Sequence, residues 1–199
     1  MNVVEQTKAR QNDILSHIHQ TQQTQREHSN AFHASNAVYG ESKNHQVLLD
    51  RGYSRDEQLS NKHASIYHNP TENHTILAYR GTQLSDPEDL KADLDIALNK
   101  QHNNQAFKTA RTLYETTTKK YNTPLTITGH SLGGSKALDV AKTYNTKAVT
   151  FNPGISAFGE DTGNSTVYHK QGDIVSSRFK GKNTHISKGG HSLSTFKNF

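Results

Sequence analysis

Residues 125–134, Leu-Thr-Ile-Thr-Gly-His-Ser-Leu-Gly-Gly, decide the reading of this chain. They open as a β-branched run, pass through G-x-S-x-G and lead into the helix-forming stretch Ser-Lys-Ala-Leu-Asp-Val-Ala-Lys at 135–142. The five-letter pattern alone recurs by chance in roughly one chain in fifteen of this length. The order of strand, sharp turn and helix therefore carries the inference, because it is the context a nucleophile elbow requires. Ser131 is expected at the turn, in a strained backbone conformation that thrusts its Oγ above the sheet. Gly129 and Gly133 then have a steric reason: strand and helix approach so closely that a Cβ at either position would collide.

A serine hydroxyl is a weak nucleophile unless a base takes its proton and a third group orients that base. In α/β-hydrolases these partners follow in the order Ser, acid, His. That order excludes every histidine before the elbow, and His130 is set aside because neighbouring residues on a tight turn do not readily present imidazole to the adjacent Oγ. Among the later acids, Asp139 reads as a solvated or capping group on the elbow helix, and Glu160 and Asp161 as surface-turn chemistry in a Gly-rich loop. Asp173 is the better candidate, since it follows a probable strand at the sheet end where open α/β folds build their sites. A turn-forming role for it stays open. Two histidines remain. His185 lies in a short probable strand, whereas His191 follows Gly189-Gly190 at a loop-to-helix entry and is the preferred base.

The tetrahedral intermediate also needs donors placed in advance for its oxyanion. One is expected from the backbone N–H of Leu132, the residue after the nucleophile. The other is expected after the apolar strand in His-Thr-Ile-Leu-Ala-Tyr-Arg-Gly-Thr, 74–82, where Gly81 permits close backbone approach and Thr82 adds a hydroxyl.

Tyr-Arg-Gly-Thr at 79–82, Gly-His-Ser-Leu-Gly-Gly at 129–134, Phe-Asn-Pro-Gly at 151–154, Gly-Asp-Ile-Val at 172–175 and His-Ser-Leu at 191–193 together resemble a class 3 lipase, the fungal-lipase-like branch of the α/β-hydrolases. Asn36-Ala37-Val38-Tyr39 is similar to the opening helix of that family, so the resemblance spans about 30–199. It implies Ser131 as nucleophile, Asp173 and His191 as its partners, and Thr82 with Leu132 at the oxyanion hole. It also implies an acyl ester of a lipid as substrate and no cofactor. The chain departs from the secreted members in having no cysteine and a shortened C-terminal half.

A chain of 199 residues predicts one domain. Residues 1–29 are expected to form a polar arm, helical or mobile, with 30–199 as a single compact α/β-hydrolase domain whose mostly parallel sheet is covered by helices. No apolar stretch follows Met1 as in a secretory signal, and none reaches a membrane span, so the expected location is cytoplasmic or reached without a classical secretion signal. The absence of cysteine is compatible with a reducing compartment. His17 and His19 alternate in a polar segment without metal-ligand spacing, and no metal is expected. The sequence carries no signal for an oligomeric state.

The segment 166–199 holds Lys170, Arg178, Lys180, Lys182, Lys188 and Lys197 against Asp173, an excess of +5 that matches the whole chain. It reads either as a solvated face or as a basic surface beside the site that favours anionic membranes. No basic helix organises these charges for nucleic acid, and none is expected as a partner.

Helices are predicted at 29–39, 55–62, 86–98, 103–120, 132–144 and after 191, with strands at 64–68, 74–80, 125–129, 147–151, 166–171 and 184–187. The 86–98 helix, opened by Asp86 and Pro87, is either a lid over the site or an ordinary packed helix. The predicted function is a serine ester hydrolase acting on lipid acyl esters. Two alternatives are an acyltransferase using the same residues and a catalytically silent interaction protein retaining the fold.

Overall fold

The computed structural model describes residues 3–82, 104–154, 164–173, 184–196 and 199. Its elements run α1 (Val3–Ala37), α2 (Ser42–Asp50), β1 (Ser54–Arg55), β2 (Ala64–Asn69), β3 (His74–Tyr79), α3 (Gln105–Lys120), β4 (Leu125–His130), α4 (Leu132–Thr143), β5 (Ala148–Phe151), β6 (Thr166–Lys170) and β7 (Thr184–Ser187). The seven strands form one sheet in the order of the chain. β1, β2 and β3 pair antiparallel, and β3 through β7 pair parallel, so the mostly parallel sheet expected of an α/β-hydrolase is present.

Both faces of the sheet are covered, so β3 carries the continuous apolar run Ile76–Tyr79 and the intervening Thr126 and Thr128 of β4 are buried as well. Leu77, Tyr79 and Ile127 pack with Ala110 of α3 and Ala137, Val140 and Ala141 of α4. On the other face Ile76 and Ala78 meet Ala34 and Ala37 of α1, Val38 just after it, and Leu48 of α2. Small residues let α1 lie close to β4, and there Ser35 Oγ and Thr128 Oγ1 hydrogen-bond at 2.7 Å. Ala31 and Phe32 join Val149, Phe151, Leu193 and Phe196 in a third cluster that seats the end of the chain.

Several sequence expectations need correction. No helix occupies 55–62: β1 ends at Arg55, and the Asp56 carboxylate accepts the N–H groups of Gln58 and Leu59 to make a turn. The helix lies instead at Ser42–Asp50, where only Leu48 is buried, too weak an apolar pattern to stand out. The opening helix runs unbroken from Val3 to Ala37, so of the two readings of the 1–29 arm the structure takes the helical one, and the separate start at 29 does not exist; residues 5–26 are exposed. After His191 there is one 3₁₀ turn, Leu193–Thr195, capped by Ser192, in place of a helix. The 86–98 segment lies outside the described residues.

The tightest constraint is at the ends of β3 and β4. A Cβ on Gly133 would sit 2.1 Å from the Tyr79 carbonyl oxygen, and one on Gly129 would sit 2.4 Å from the Gly133 carbonyl carbon. Neither backbone can move aside without breaking its strand or helix. Gly133→Ala is therefore expected to lower stability by about 3 kcal/mol or more in urea unfolding, whereas Gly190→Ala, whose Cβ meets nothing within 4 Å, leaves the midpoint in place. Equal midpoints for the two variants would contradict this packing.

Candidate active site

Ser131 joins β4 to α4 with φ 55° and ψ −129°, a conformation that costs an L-residue about 1–3 kcal/mol. Neighbouring main chain holds it there. Its N–H donates to the Phe151 carbonyl at 3.2 Å, and its own carbonyl accepts from Ser135 N at 3.1 Å and Gly154 N at 3.3 Å. Its Oγ is buried and has no hydrogen-bond partner among the described residues.

His191 sits on the loop after β7, and Asp173 follows β6. Both Asp173 carboxylate oxygens lie 3.0 Å from His191 Nδ1, with Asp173 itself buried. A carboxylate at Nδ1 selects the tautomer with its hydrogen there, which leaves Nε2 as the acceptor. His191 Nε2 is likewise buried without a partner among the described residues, as are Thr150 Oγ1 and both ring nitrogens of His169. The structure thus brings Asp173 and His191 together. It leaves Ser131 Oγ and His191 Nε2 unbonded to each other, as is common before substrate tightens such a site.

Gly81 lies against the elbow, since a Cβ there would be 2.6 Å from the His130 carbonyl oxygen and 3.2 Å from Gly133 N. Thr82, half-buried, is the next residue. Leu132 opens α4, so its N–H belongs to the first turn, where no intrahelical acceptor exists.

The other candidates separate cleanly. His185 is exposed on β7 and stacks on Tyr168 with ring centroids 4.6 Å apart. Asp139 is neither solvated nor a cap: it is buried and ion-paired with Arg111. Glu160 and Asp161 lie outside the described residues, as do Arg178, Lys180, Lys182 and Lys197. Lys170 does not contribute to a basic surface, because it is buried with Nζ 4.3 Å from the Phe196 ring centroid and 2.7 Å from Ser187 Oγ. Among the described residues no group of acids and histidines is arranged to hold a metal ion, and no helix is long and apolar enough to cross a membrane.

Four residues of this region were assigned no role from the sequence. Asn152, at the end of β5 with φ 41°, donates from Nδ2 to the carbonyls of His191 at 2.7 Å and Gly190 at 3.2 Å. Its Oδ1 accepts from Lys170 N at 2.8 Å. His130 is buried beside His191, their ring centroids 4.7 Å apart, and burial pushes its imidazole down to about 3. Tyr39 reaches it from the turn after α1. Lys136, one turn into α4, donates from Nζ to the Arg80 carbonyl at 2.9 Å, and burial pushes its amine down to about 8. Asn152 and His130 stand within Phe-Asn-Pro-Gly and Gly-His-Ser-Leu-Gly-Gly, and Tyr39 within Asn36-Ala37-Val38-Tyr39, stretches that carry the resemblance without giving these residues a chemical role; Lys136 stands in none of them.

The Tle-like phospholipase domain matches residues 30–177. The chain belongs to this family of phospholipase-like domains. No curated protein matches it. Similar solved structures include lipase II of Rhizopus niveus, with 15% identity and a TM-score of 0.49 over 87% of this chain and 83% of that one. A deletion mutant of the Rhizomucor miehei lipase propeptide complex gives 14% identity and a TM-score of 0.48 over 77% of this chain. This chain spans 61% of the length of that Rhizomucor chain.

The lowered Lys136 amine links stability to pH. Below about pH 8 folded and unfolded chains both carry its proton and the burial cost is felt in full. Between about 8 and 10.5 only the unfolded chain is protonated, so the folded state gains as pH rises. Urea unfolding of the wild type and Lys136→Met at pH 7.5 and 9.5 is expected to show the wild type gaining on the variant by about 1.4 kcal/mol per pH unit within that window. A pH-independent difference would contradict it.

Proposed function

We propose that this domain is a serine ester hydrolase that cleaves acyl esters of phospholipids through an acyl-enzyme. Ser131 is the nucleophile, His191 the base, Asp173 the group that orients it, and Leu132 and Thr82 the oxyanion donors. The observation that carries the reading is the strained Ser131 at a strand-to-helix turn, at the same end of the sheet as an imidazole whose Nδ1 faces a buried carboxylate. Membership of a phospholipase-like family supports the substrate class.

In this reading Ser131 Oγ attacks the ester carbonyl carbon while His191 Nε2 takes its proton. The carbonyl oxygen becomes an oxyanion, held by the Leu132 N–H and by Thr82, each donor worth about 3–4 kcal/mol. Collapse breaks the ester bond, and His191 returns the proton to the departing alcohol. Water, deprotonated by His191, then releases the fatty acid and restores Ser131. Asp173 holds the imidazole in the correct tautomer and stabilises the imidazolium of each step without itself being protonated.

One oxyanion donor is chosen by hydrogen-bond accounting. The Gly81 N–H donates to Tyr39 Oη at 3.0 Å. Thr82 is therefore the residue of this segment assigned to the oxyanion.

Ser131→Ala is expected to abolish hydrolysis of p-nitrophenyl esters while the unfolding midpoint is retained, and unchanged turnover would sink the assignment. His191→Ala is expected to lose activity by about three orders of magnitude or more, and Asp173→Asn nearly as much. His185→Ala keeps wild-type turnover in this account, and its loss would move the base to β7.

A further inference from the structure

His130 was set aside as a base, yet both of its ring nitrogens are engaged. Nε2 lies 2.8 Å from the His191 carbonyl oxygen, and Nδ1 lies 3.3 Å from Tyr39 Oη. A carbonyl only accepts, so Nε2 carries the hydrogen. The imidazole is neutral, because burial holds it at about 3, and Nδ1 is then an acceptor. Tyr39 must therefore donate its hydroxyl hydrogen to Nδ1, which leaves Oη to accept from the Gly81 N–H at 3.0 Å. Every hydrogen in the chain has one permitted direction: Gly81 N–H to Tyr39, Tyr39 O–H to His130, His130 N–H to the His191 carbonyl.

This path joins the backbone after β3 to the loop after β7. One end is the residue before Thr82. The other is the main chain of His191, whose carbonyl is also held by Asn152 Nδ2. Asp173 fixes the direction of the His191 ring, whereas the path from His130 and Asn152 fixes where its backbone stands. We propose that Tyr39 and His130 are positioning residues that tie the oxyanion segment to the base-bearing loop, so that Thr82 and His191 keep a set separation across Ser131. The proposal rests on the roles given above to Ser131, His191 and Thr82. Because neither residue hydrogen-bonds to Ser131 Oγ or His191 Nε2, and His130 meets His191 through its carbonyl and the flank of its ring, it assigns them an effect on the geometry of attack rather than on binding.

The test is kinetic, on the full chain, with turnover expressed per active site titrated by a fluorophosphonate. Tyr39→Phe removes one oxygen, breaks the path at its centre and is expected to lower kcat for a soluble ester about 10- to 100-fold with little change in KM. His130→Leu is expected to do the same. His130→Gln, which keeps a donor at similar reach toward the His191 carbonyl, is expected to recover about 5-fold or more over the Leu variant. The double variant Tyr39→Phe with His130→Leu should fall no further than the worse single, since both break one path. Tyr53→Phe is the control: it severs another tyrosine–histidine pair, Tyr53 Oη to His74 Nδ1 at 2.8 Å, at the far end of β3, and leaves kcat unchanged. Wild-type kcat per titrated site in Tyr39→Phe, or losses that add in the double variant, would overturn the proposal. Survival of activity in Ser131→Ala would instead overturn the reading of the site on which it rests.

Discussion

Three stretches of backbone meet without side chains between them at the C-terminal ends of β3 and β4, and the site depends on that contact. The Cβ position of Gly133 falls 2.1 Å from the Tyr79 carbonyl oxygen and that of Gly129 falls 2.4 Å from Gly133 itself. Only at this separation does the chain leave β4, turn through Ser131 at positive φ and enter α4 within one residue. Gly81, the residue before Thr82, is brought against the same turn. The local strain of Ser131, about 1–3 kcal/mol, is offset by the hydrogen bonds its peptide groups make to Phe151, Ser135 and Gly154.

Around this contact the buried polar groups divide by whether they are satisfied. Asp173, Asn152, His130 and Tyr39 have partners in well-defined directions. Ser131 Oγ and His191 Nε2 are buried and have none. A buried polar atom without a partner is costly, so such pairs are scarce in a core and mark places where a ligand or a reaction supplies what the protein withholds. Ser131 Oγ and His191 Nε2 are the two that exchange a proton in the proposed chemistry, while the neighbours named above are locked; Thr150 Oγ1, Thr184 Oγ1 and both ring nitrogens of His169 are also buried without a partner among the described residues and take no part in it. That division is what preorganisation requires: the frame is fixed and the reacting atoms are left available.

Much of this was legible in the sequence where a residue type is dictated by local geometry. Gly129, Ser131 and Gly133 announce the turn because nothing larger than hydrogen fits at the glycines, and the β-branched run Leu125–Thr128 announces the strand that leads into it. β7 was placed at its observed bounds, 184–187, and β3, β4 and β6 within one residue at an end. The misses occurred where local pattern is weak and long-range packing decides. α2 buries only Leu48 and shows little amphipathic signal. The polar first half of α1 has only the sparse helical spacing of Val4, Ile14, Leu15 and Ile18, and since Ile14, Leu15 and Ile18 are exposed, no packing partner separates a helix from a mobile arm. Asp139 gave no hint of its partner because Arg111 lies on another helix. Lys170 looked like surface charge, and only the stacking of Phe196 and Ser187 around it shows otherwise. Tyr39 and His130 illustrate the same limit: the hydrogen bond between them spans most of the sheet-building sequence, and no spacing rule links them.

The account stands or falls on whether Ser131 is the activated hydroxyl. Incubating the full chain with a fluorophosphonate, digesting it with trypsin and sequencing the modified peptide by mass spectrometry answers that directly. The predicted result is one phosphonyl group per chain, within the peptide 121–136, carried by Ser131 and not by Ser135, whose hydroxyl is engaged with the Gly154 carbonyl at 3.0 Å. An unmodified peptide, or the adduct on any other serine, would contradict it.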